Sequence, residues 1–271
     1  MPVLRNGDDS PWIGEAQKRL KHYGAYTKRI DNDFGDGTAN AVRAFQLSRH
    51  LAVTGEVDAD TARALDLTHL VGPAKRPVPE AAALLFPGAR FANVAAHLPY
   101  VVRGLVAHAL TDKPMLLMAL ATIRAETSGF LPISEGRSKY NTTPSGHPFN
   151  RYDNRKKSLG NLGRPDGERF KGRGFVQLTG RANYTNISRR LGLGARLVDE
   201  PELANDPEIA GRILAAFLKR EERRVRAALK KKDLAAARKV VNGGVHGQNP
   251  FRIAFLRGEE VFAGGLTLTR S

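Results

Sequence analysis

Apolar residues recur at helical spacing through most of this 271-residue chain. Near its start, two apolar faces precede a turn at Gly55 and a third short helix that is capped near Asp58 or Asp60. The residues that form the two faces are Ile13, Ala16 and Leu20, followed by Ala41, Val42 and Phe45. The pattern predicts a small three-helix unit over residues 1–67.

Two segments of this unit echo each other. Both IDNDFGDGTANAVRAFQ and TGEVDADTARAL run from a turn rich in Gly or Asp to a Thr, and then to Ala and an apolar residue. Repetition of a short sequence pattern indicates repeated local structure. We therefore expect two similar half-sites within the unit.

The remaining sequence predicts a larger helical domain over residues 89–271. A segment at 68–88 that contains several prolines precedes it and indicates a linker or a docking segment. Residues 131–180 lack clear periodicity, and an irregular stretch of this length inside a domain is usually functional or an insertion. Helical periodicity predicts the other elements, near 90–111, 114–128, 206–230 and 233–242. The predicted fold class is mainly α, with the small three-helix domain linked to the larger helical domain.

A carboxylate continues the apolar face of the helix predicted at 114–128. Four apolar residues form this face: Leu116, Ala119, Leu120 and Ile123. The next position on the same face is Glu126, and Gly129 predicts that the helix ends just beyond it, near the negative end of the helix dipole. Burial and the dipole both favour a protonated carboxyl, which is the form that a general acid needs. The alternative is a structural Glu that pairs with Arg124 or with an Arg brought near by folding.

A second carboxylate, Glu135, lies in the polar segment ISEGRSKY of the irregular stretch. A dry carboxylic acid and a solvated carboxylate together form the pair that glycoside hydrolysis uses. Glu135 would act as a base that activates water or as a closer nucleophile, and the alternative is an ordinary solvated loop residue. Thr142 and Thr143 follow, and each would either position a water molecule or cap a turn.

The composition is strongly basic, with 43 Lys and Arg against 27 Asp and Glu and a formal net charge of +16. This charge favours an anionic partner such as nucleic acid, teichoic acid, peptidoglycan carboxylates or lipopolysaccharide phosphates. A single GRG at 172–174 is a weak signal for nucleic acid, and we expect none to bind. The basic helices at 219–239 are better suited to draw the protein to anionic wall or outer-membrane surfaces.

Several other chemistries lack the residues they require. The chain has no cysteine, which excludes disulfides and thiolate chemistry. The seven histidines are scattered without an HExxH motif, and no GxSxG nucleophile motif is present. The acidic turn that starts at Asp31 has Asp36 and Val42 where a calcium loop needs Gly and Glu. We therefore expect no metal ion and no cofactor.

The run FKGRGFVQLTGRANY at 170–184 combines glycines with polar and aromatic side chains. The glycines around Arg173 allow a ligand to approach the backbone closely. Gln177, Asn183 and Tyr184 supply amide, hydroxyl and ring surface suited to a sugar. The sequence therefore predicts that Arg173, Gln177 and Tyr184 line a saccharide groove.

A series of residues covers nearly the whole N-terminal unit: Gln17, Leu20, Gly24, the DxDFG motif at 31–35, Thr38, Ala41, Val42, Phe45, Gln46, Gly55, Val57 and Thr61. This series resembles the widespread peptidoglycan-binding domain of bacterial and phage wall enzymes. The resemblance implies a wall-targeting module in which most of these residues belong to the core and the helix caps.

Three motifs of the larger domain carry a second resemblance: AETSGF at 125–130, FKGRGFVQLTGRANY at 170–184 and VVNGG at 240–244. They resemble the family 19 glycoside hydrolases, which have a chitinase-like lysozyme fold, and most closely the bacteriophage endolysin branch. The resemblance spans roughly residues 90–265. It implies that Glu126 is the catalytic acid, that Glu135 is the second acidic residue, and that Thr143 lies near a catalytic-site Thr.

The expected substrate contacts are Tyr152, in the segment RYDNR at 151–155, and five residues of the last two motifs: Arg173, Gln177, Asn183, Tyr184 and Asn242. Plant-type chitinases place their second Glu farther along the chain and carry several disulfides. The nearer Glu135 and the absence of cysteine depart from that pattern. The departure favours peptidoglycan over chitin as the substrate.

Together the two resemblances imply a modular endolysin that hydrolyses the β-1,4 bond between N-acetylmuramic acid and N-acetylglucosamine and thereby lyses the host. The alternatives are a chitinase, a lytic transglycosylase and a wall-binding protein without catalysis. We expect a monomer. Because the N-terminus lacks the basic and apolar regions of a signal peptide, we expect synthesis in the bacterial host cytoplasm and holin-assisted release to the wall.

Overall fold

The computed structural model describes residues 3–70, 78–242 and 247–269. Within these ranges the chain is mainly helical, and extended backbone pairs only in isolated bridges, which confirms the predicted fold class. None of the described helices is both long and apolar enough to span a membrane. The α-helices are α1 (Pro11–His22), α2 (Asp36–Ser48), α3 (Ala59–Ala64), α4 (Pro79–Ala83), α5 (Phe91–Ala107), α6 (Lys113–Thr127), α7 (Asn150–Asp153), α8 (Lys156–Leu159), α9 (Asp166–Arg169), α10 (Arg181–Arg190), α11 (Arg196–Asp199), α12 (Pro207–Lys230), α13 (Leu234–Asn242) and α14 (Gln248–Val261). Two 3-10 helices lie at Thr68–Leu70 and Pro201–Asn205.

The N-terminal unit consists of α1, α2 and α3, as the sequence predicts. Ser10 caps α1 by accepting a hydrogen bond from the backbone N–H of Trp12, and Asp58 caps α3 by accepting one from Thr61. All six residues predicted to face inward on α1 and α2 are at most 5% exposed. The cap and the apolar face therefore fix both the start and the orientation of these short helices.

Each half of this unit is organised by one fully buried glutamine. Gln17 Nε2 donates to the carbonyl of Asp33 at 2.9 Å and to Thr38 Oγ1 at 3.0 Å. Gln46 Nε2 makes the equivalent bonds in the second half, to a turn carbonyl at 2.9 Å and to Thr61 Oγ1 at 3.0 Å. The two segments with similar sequences thus share one arrangement, in which a buried glutamine donates hydrogen bonds to a turn carbonyl and to a threonine hydroxyl.

Replacing Gln17 by Leu is expected to lower the free energy of unfolding by about 3 kcal/mol, because buried donors and acceptors lose their partner. The groups affected are Thr38 Oγ1 and the backbone N–H groups of Asp31 and Asn32, which donate to Gln17 Oε1. Urea unfolding measures the change. The matched control is Lys18→Leu, at an exposed position on the same helix, where little change is expected.

Part of the segment predicted as a linker or docking segment packs against the rest of the chain. Residues 81–86, which include the end of α4, are at most 2% exposed. They belong to a hydrophobic cluster that also contains Leu4 of the N-terminal unit and Phe262 after α14. Residues 78–88 therefore join the two predicted domains through a shared core rather than through a solvated tether.

A buried ion pair also joins the N-terminal unit to the larger domain. Arg257 on α14 donates through Nη2 to Asp8 Oδ2 at 2.6 Å and to the carbonyl of Val3 at 2.8 Å. Its Nε donates to the carbonyl of Leu84 at 2.7 Å, so one guanidinium holds three segments together. Asp8 is 1% exposed, and its Oδ1 has no hydrogen-bond partner in the structure. Burial is the largest cause that raises the pKa of Asp8, to about 6, against the opposing charge of Arg257.

Because the pKa of Asp8 is raised, we expect the free energy of unfolding to depend on pH through the Asp8–Arg257 ion pair. A carboxyl whose pKa rises from 3.8 to about 6 on folding stabilises the folded state most below pH 4, and loses that contribution as the pH rises to 6. The expected loss is about 2 kcal/mol between pH 4 and pH 7. Unfolding free energies at pH 4 and pH 7 should show it in the wild type and lack it in Asp8→Asn. Equal pH slopes in the two proteins would contradict the prediction.

Close helix crossings build the larger domain around α6. Gly104 of α5 and Gly211 of α12 meet at the crossing of these helices, where a Cβ on Gly104 would lie 2.4 Å from the carbonyl oxygen of Gly211. On the other side, a Cβ on Gly258 of α14 would lie 2.4 Å from a methyl of Leu117 on α6. The residues of α6 from 115 to 123 are accordingly fully buried. This packing fixes the end of α6, which carries Glu126.

Candidate active site

Glu126 lies in the last turn of α6, on the buried face that the sequence predicts. The helix ends at Thr127, and Ser128 has a positive φ of 40°, so the chain turns away just after the carboxylate. The Glu126 side chain is 13% exposed. Its Oε1 accepts a hydrogen bond from Arg238 Nη2 at 2.7 Å, and the Arg238 side chain is fully buried.

The apolar stripe of α6 therefore ends in an ion pair, not in an isolated carboxyl. The partner is an arginine on α13 that folding brings near, as in the structural alternative named for Glu126 above. Gly247 packs closely beside this pair, since a Cβ at that position would lie 3.1 Å from both Ala125 Cβ and Arg238 Nη2. Among the described residues, no donor lies within hydrogen-bond distance of the other oxygen of Glu126, Oε2.

Glu135 is held in a cradle of hydrogen-bond donors. Asn141 Nδ2 and the Tyr152 hydroxyl each donate to Glu135 Oε1 at 2.9 Å, and the backbone N–H of Gly172 donates to Oε2 at 3.2 Å. The backbone N–H of Glu135 donates in turn to the carbonyl of Gly172 at 2.7 Å. The two carboxylate oxygens accept the first three of these bonds, which come from Asn141, Tyr152 and Gly172. The carboxylate is partly exposed and fixed in orientation, so it is an organised group and not a freely solvated loop residue.

Tyr152 comes from α7 and supports this cradle. Burial, and then the negative charge of Glu135, raise the pKa of the Tyr152 phenol. The phenol therefore remains a hydrogen-bond donor to Glu135 at neutral pH. Asn161 Nδ2 fixes the backbone of α7 by donating to the carbonyl of Tyr152 at 2.9 Å.

Gln177 lies beside Glu135 and forms the adjoining wall. Its Nε2 donates to the carbonyl of Ile133 at 2.9 Å and to that of Gly174 at 3.2 Å. A Cβ on Gly172 would lie 2.8 Å from Gln177 Oε1 and 3.2 Å from Glu135 Oε2, so both side chains lie close to the Gly172 backbone. The structure thus brings Glu135, Tyr152 and Gln177 together.

Arg173 and Tyr184 are placed differently from the sequence expectation. Arg173 is 2% exposed and Tyr184 is fully buried, so neither side chain lines a groove. Arg173 Nη1 donates to the Tyr184 hydroxyl at 3.1 Å and to the carbonyl of Arg169 at 2.8 Å, and its Nη2 pairs with Glu202 at 2.6 Å. Burial raises the pKa of Tyr184 to about 12 against the opposing charge of Arg173. These two residues hold the GRG turn in place from inside the domain.

The remaining predicted residues have more peripheral positions. Thr143 is partly exposed, and its Oγ1 accepts a hydrogen bond from Asn150 Nδ2 at 2.7 Å. Thr142 is 8% exposed, and its hydroxyl is used within the loop. Asn183 is partly exposed on α10 and donates to the carbonyl of Thr179 at 2.8 Å. The side chain of Asn242 lies outside the part of the chain that the structure describes.

Two residues of the site were missed in the sequence. Arg238 lies within the basic helices at 219–239 that were expected to draw the protein to anionic surfaces, although it is fully buried beside Ala237 and Val241 of α13. The signal was its position on the apolar face of that helix. Asn141 is also fully buried and connects Glu135 to the following loop, and no local pattern distinguishes it from an ordinary turn residue. Across residues 3–70, 78–242 and 247–269, no group of three or more His, Asp or Glu side chains is arranged to hold a metal ion.

Comparison with known proteins addresses the two domains separately. Residues 10–65 match the family described as "Putative peptidoglycan binding domain". The fold is similar to that of chitinase C from Streptomyces griseus HUT6037, at 19% sequence identity and a TM-score of 0.50, over 72% of this chain and 78% of that chain. A glutamate-to-glutamine variant of chitinase C gives 18% identity and a TM-score of 0.50 over the same shares of the two chains.

A structure of Burkholderia AP3 phage endolysin aligns over 97% of this chain and 99% of that chain, at 16% identity and a TM-score of 0.25. No curated protein sequence matches the chain. The match at residues 10–65 confirms the expected peptidoglycan-binding domain. The likeness to chitinase C confirms the expected chitinase-like fold, and a shared fold does not by itself assign a substrate.

Proposed function

We propose that this protein is a modular peptidoglycan hydrolase of the endolysin type, which cleaves the β-1,4 bond between N-acetylmuramic acid and N-acetylglucosamine. The N-terminal domain would hold the enzyme on the wall, and the helical domain would carry the chemistry. The observation that carries the proposal is a pair of carboxylates on a chitinase-like fold with contrasting surroundings. Glu126 pairs with a buried guanidinium, whereas Glu135 accepts three hydrogen bonds in an open cradle.

The contrast assigns the two roles. Glu126 has one oxygen fixed by Arg238, which orients Oε2 toward a bound sugar, and we propose that this atom protonates the leaving oxygen when the saccharide excludes water. The Glu135 carboxylate accepts three hydrogen bonds. We therefore propose that it acts as the anionic partner that activates water or stabilises the positive charge on the sugar ring. Gln177 and Tyr152 lie beside Glu135 and are the proposed saccharide contacts, with Thr143 and Asn183 farther out.

The basic surface supports a role at an anionic wall. On the helix α12, several cations are paired with Glu221 and Glu222 on the same helix, which lowers the charge available to a partner. Arg223, Lys231 and Lys232 are exposed and form no ion pair among the described residues. We propose that these residues raise the encounter rate with wall polymers in a salt-sensitive way.

Mass spectrometry of a digest tests the proposed reaction. Purified peptidoglycan should yield fragments with new reducing ends on N-acetylmuramic acid, and N-acetylglucosamine oligomers assayed in parallel should be cleaved poorly. Anhydro sugars in place of reducing ends would show a lytic transglycosylase. Faster cleavage of the oligomers would show a chitinase, and sedimentation with cell walls without any bond cleavage would show a binding protein.

A further inference from the structure

The loop that follows Glu135 lines a shallow, open, cationic pocket. Its volume is ≈ 400 Å³, and its principal lining residues are Arg137, Ser138, Lys139, Thr142, Thr143 and Arg151. Three of these side chains are positively charged, and none of the residues that line the pocket is acidic. The pocket is thus a concave surface that concentrates one sign of charge.

The three cations are not neutralised by the protein. Arg137, Lys139 and Arg151 are all exposed, and the ion pairs of the described residues include none of them. Lys139 Nζ lies 5.4 Å from the ring centroid of Tyr140, which leaves its ammonium hydrogens able to donate. Like charges around one concavity repel each other, and an anionic ligand removes that repulsion. The pocket therefore has the electrostatics of an anion subsite.

The pocket is also built on a rigid frame that it shares with Glu135. Asn141 is fully buried and donates to Glu135 Oε1 at 2.9 Å and to the carbonyl of Gly136 at 2.8 Å. Its Oδ1 accepts from Ser138 and Thr142 of the pocket wall, at 2.9 Å and 2.8 Å. One side chain thus fixes both the carboxylate and the pocket. A ligand group in the pocket lies next to whatever sugar Glu135 meets.

Thr143 adds a polar group to the rim. Its backbone N–H and its Oγ1 are both engaged by the Asn150 side chain, at 2.9 Å and 2.7 Å. In the second of these bonds the threonine oxygen is the acceptor, so its own hydrogen points elsewhere and has no acceptor among the described residues. A hydroxyl donor beside three cations suits a carboxylate, which accepts several hydrogen bonds at once.

We propose that this pocket binds the stem-peptide carboxylates of peptidoglycan and so selects peptidoglycan over neutral glycans. The inference rests on the proposed function, because it assigns the pocket to the same substrate as Glu135. Muramic acid carries a peptide with free carboxylates on its lactyl arm, whereas N-acetylglucosamine polymers carry none. A peptide on the sugar bound near Glu135 places its carboxylates within reach of Arg137, Lys139 and Arg151.

The test compares two triple variants that remove equal charge. Arg137→Gln, Lys139→Gln and Arg151→Gln together neutralise the pocket. The control combines Arg189→Gln, Arg190→Gln and Arg196→Gln, three exposed cations around the end of α10 and in α11 that form no ion pair among the described residues. The substrate is peptidoglycan freed of secondary wall polymers, either native or with its carboxylates converted to amides by a carbodiimide and ammonia. Initial rates of reducing-end release are measured at limiting substrate.

The pocket variant should cleave native peptidoglycan about tenfold more slowly than the wild type, and the control variant should cleave at nearly the wild-type rate. Amidation of the substrate should slow the wild type by a similar factor and should leave the pocket variant unchanged. Added salt should reduce the difference in cleavage rate between the wild type and the pocket variant on native peptidoglycan. Wild-type rates for the pocket variant on native peptidoglycan would overturn the proposal while leaving the proposed function intact.

A binding measurement tests the proposed carboxylate subsite separately from the proposed hydrolase function. Calorimetry with a soluble disaccharide that carries its stem peptide should show weaker binding to the pocket variant than to the control variant. If the wild type releases no reducing ends from peptidoglycan, the proposed function fails, and this binding difference still decides whether the pocket is a carboxylate subsite. Equal binding to both variants would show that it is not.

Discussion

Glu126→Gln should lower the rate of peptidoglycan cleavage by about 10²–10⁴-fold, because a side-chain amide has no acidic proton to give to a leaving oxygen. Gln keeps an oxygen that accepts the hydrogen bond from Arg238, which is 2.7 Å long in the wild type. The fully buried guanidinium loses its counter-charge, so we expect the folded state to be destabilised by about 3–5 kcal/mol. The rate is therefore expressed per folded molecule, with the folded fraction measured by circular dichroism.

A matched variant distinguishes catalysis from structural support. Glu208→Gln also replaces a glutamate that pairs with an arginine, since Arg103 Nη2 lies 2.8 Å from Glu208 Oε2, but this pair is on the surface where α5 meets α12. We expect Glu208→Gln to retain wild-type activity. If Glu126 is instead a structural residue at the edge of the core, Glu126→Gln should lose stability and keep its activity per folded molecule. That result would remove the proposed acid.

The helices could be predicted closely because their causes are local. The sequence placed a helix at 114–128, and α6 spans Lys113–Thr127, since Asp112 caps its start and a continuous apolar face follows. The helix predicted at 206–230 is α12, which begins at Pro207 after the cap Asp206 and ends at Lys230. Helix caps and apolar spacing involve residues within or next to the helix that they define, so the local sequence is enough to predict it.

The irregular stretch at 131–180 could not be predicted in detail for the opposite reason. It contains the helices α7, α8 and α9, each only four residues long. Side-chain bonds to the backbone hold it, such as those of Asn141 to Gly136 and of Asp153 to the N–H of Gly167. Such bonds have no period, so the sequence shows the residues but not their partners.

The site was predicted in part for the same physical reason. Glu126 and Glu135 were identified from their local surroundings, whereas the arginine that pairs with Glu126 lies 112 residues farther along the chain. Arg173 and Tyr184 were expected in a groove, because sequence alone does not show whether a polar side chain in a glycine-rich motif contacts a ligand or a buried neighbour. The structure shows that these two contact each other. Whether the remaining residues bind saccharide stays a prediction.

Glu135→Ala should lower the cleavage rate by about 10²–10⁴-fold, because the water that attacks the sugar loses the base that activates it. The substitution also leaves space where the carboxylate was, among the Tyr152 hydroxyl, Asn141 Nδ2 and the N–H of Gly172. A small anionic nucleophile such as azide can enter that space and needs no base. We therefore expect added azide to restore part of the activity of Glu135→Ala and to yield a glycosyl azide, which mass spectrometry detects.

Two further variants make the azide experiment decisive. Tyr152→Phe removes one of the three donors to Glu135 and leaves the carboxylate held by the other two, so we expect a smaller loss of about tenfold and no response to azide. Glu126→Gln retains the base and lacks the acid, and azide cannot replace a missing proton donor, so this variant should also fail to respond. Rescue of Glu135→Ala alone would place Glu135 at the step where the nucleophile attacks, because a variant damaged only in its folding gains nothing from azide. A folded Glu135→Ala protein that azide does not accelerate would assign Glu135 to holding the loop against Gly172 instead of to the reaction.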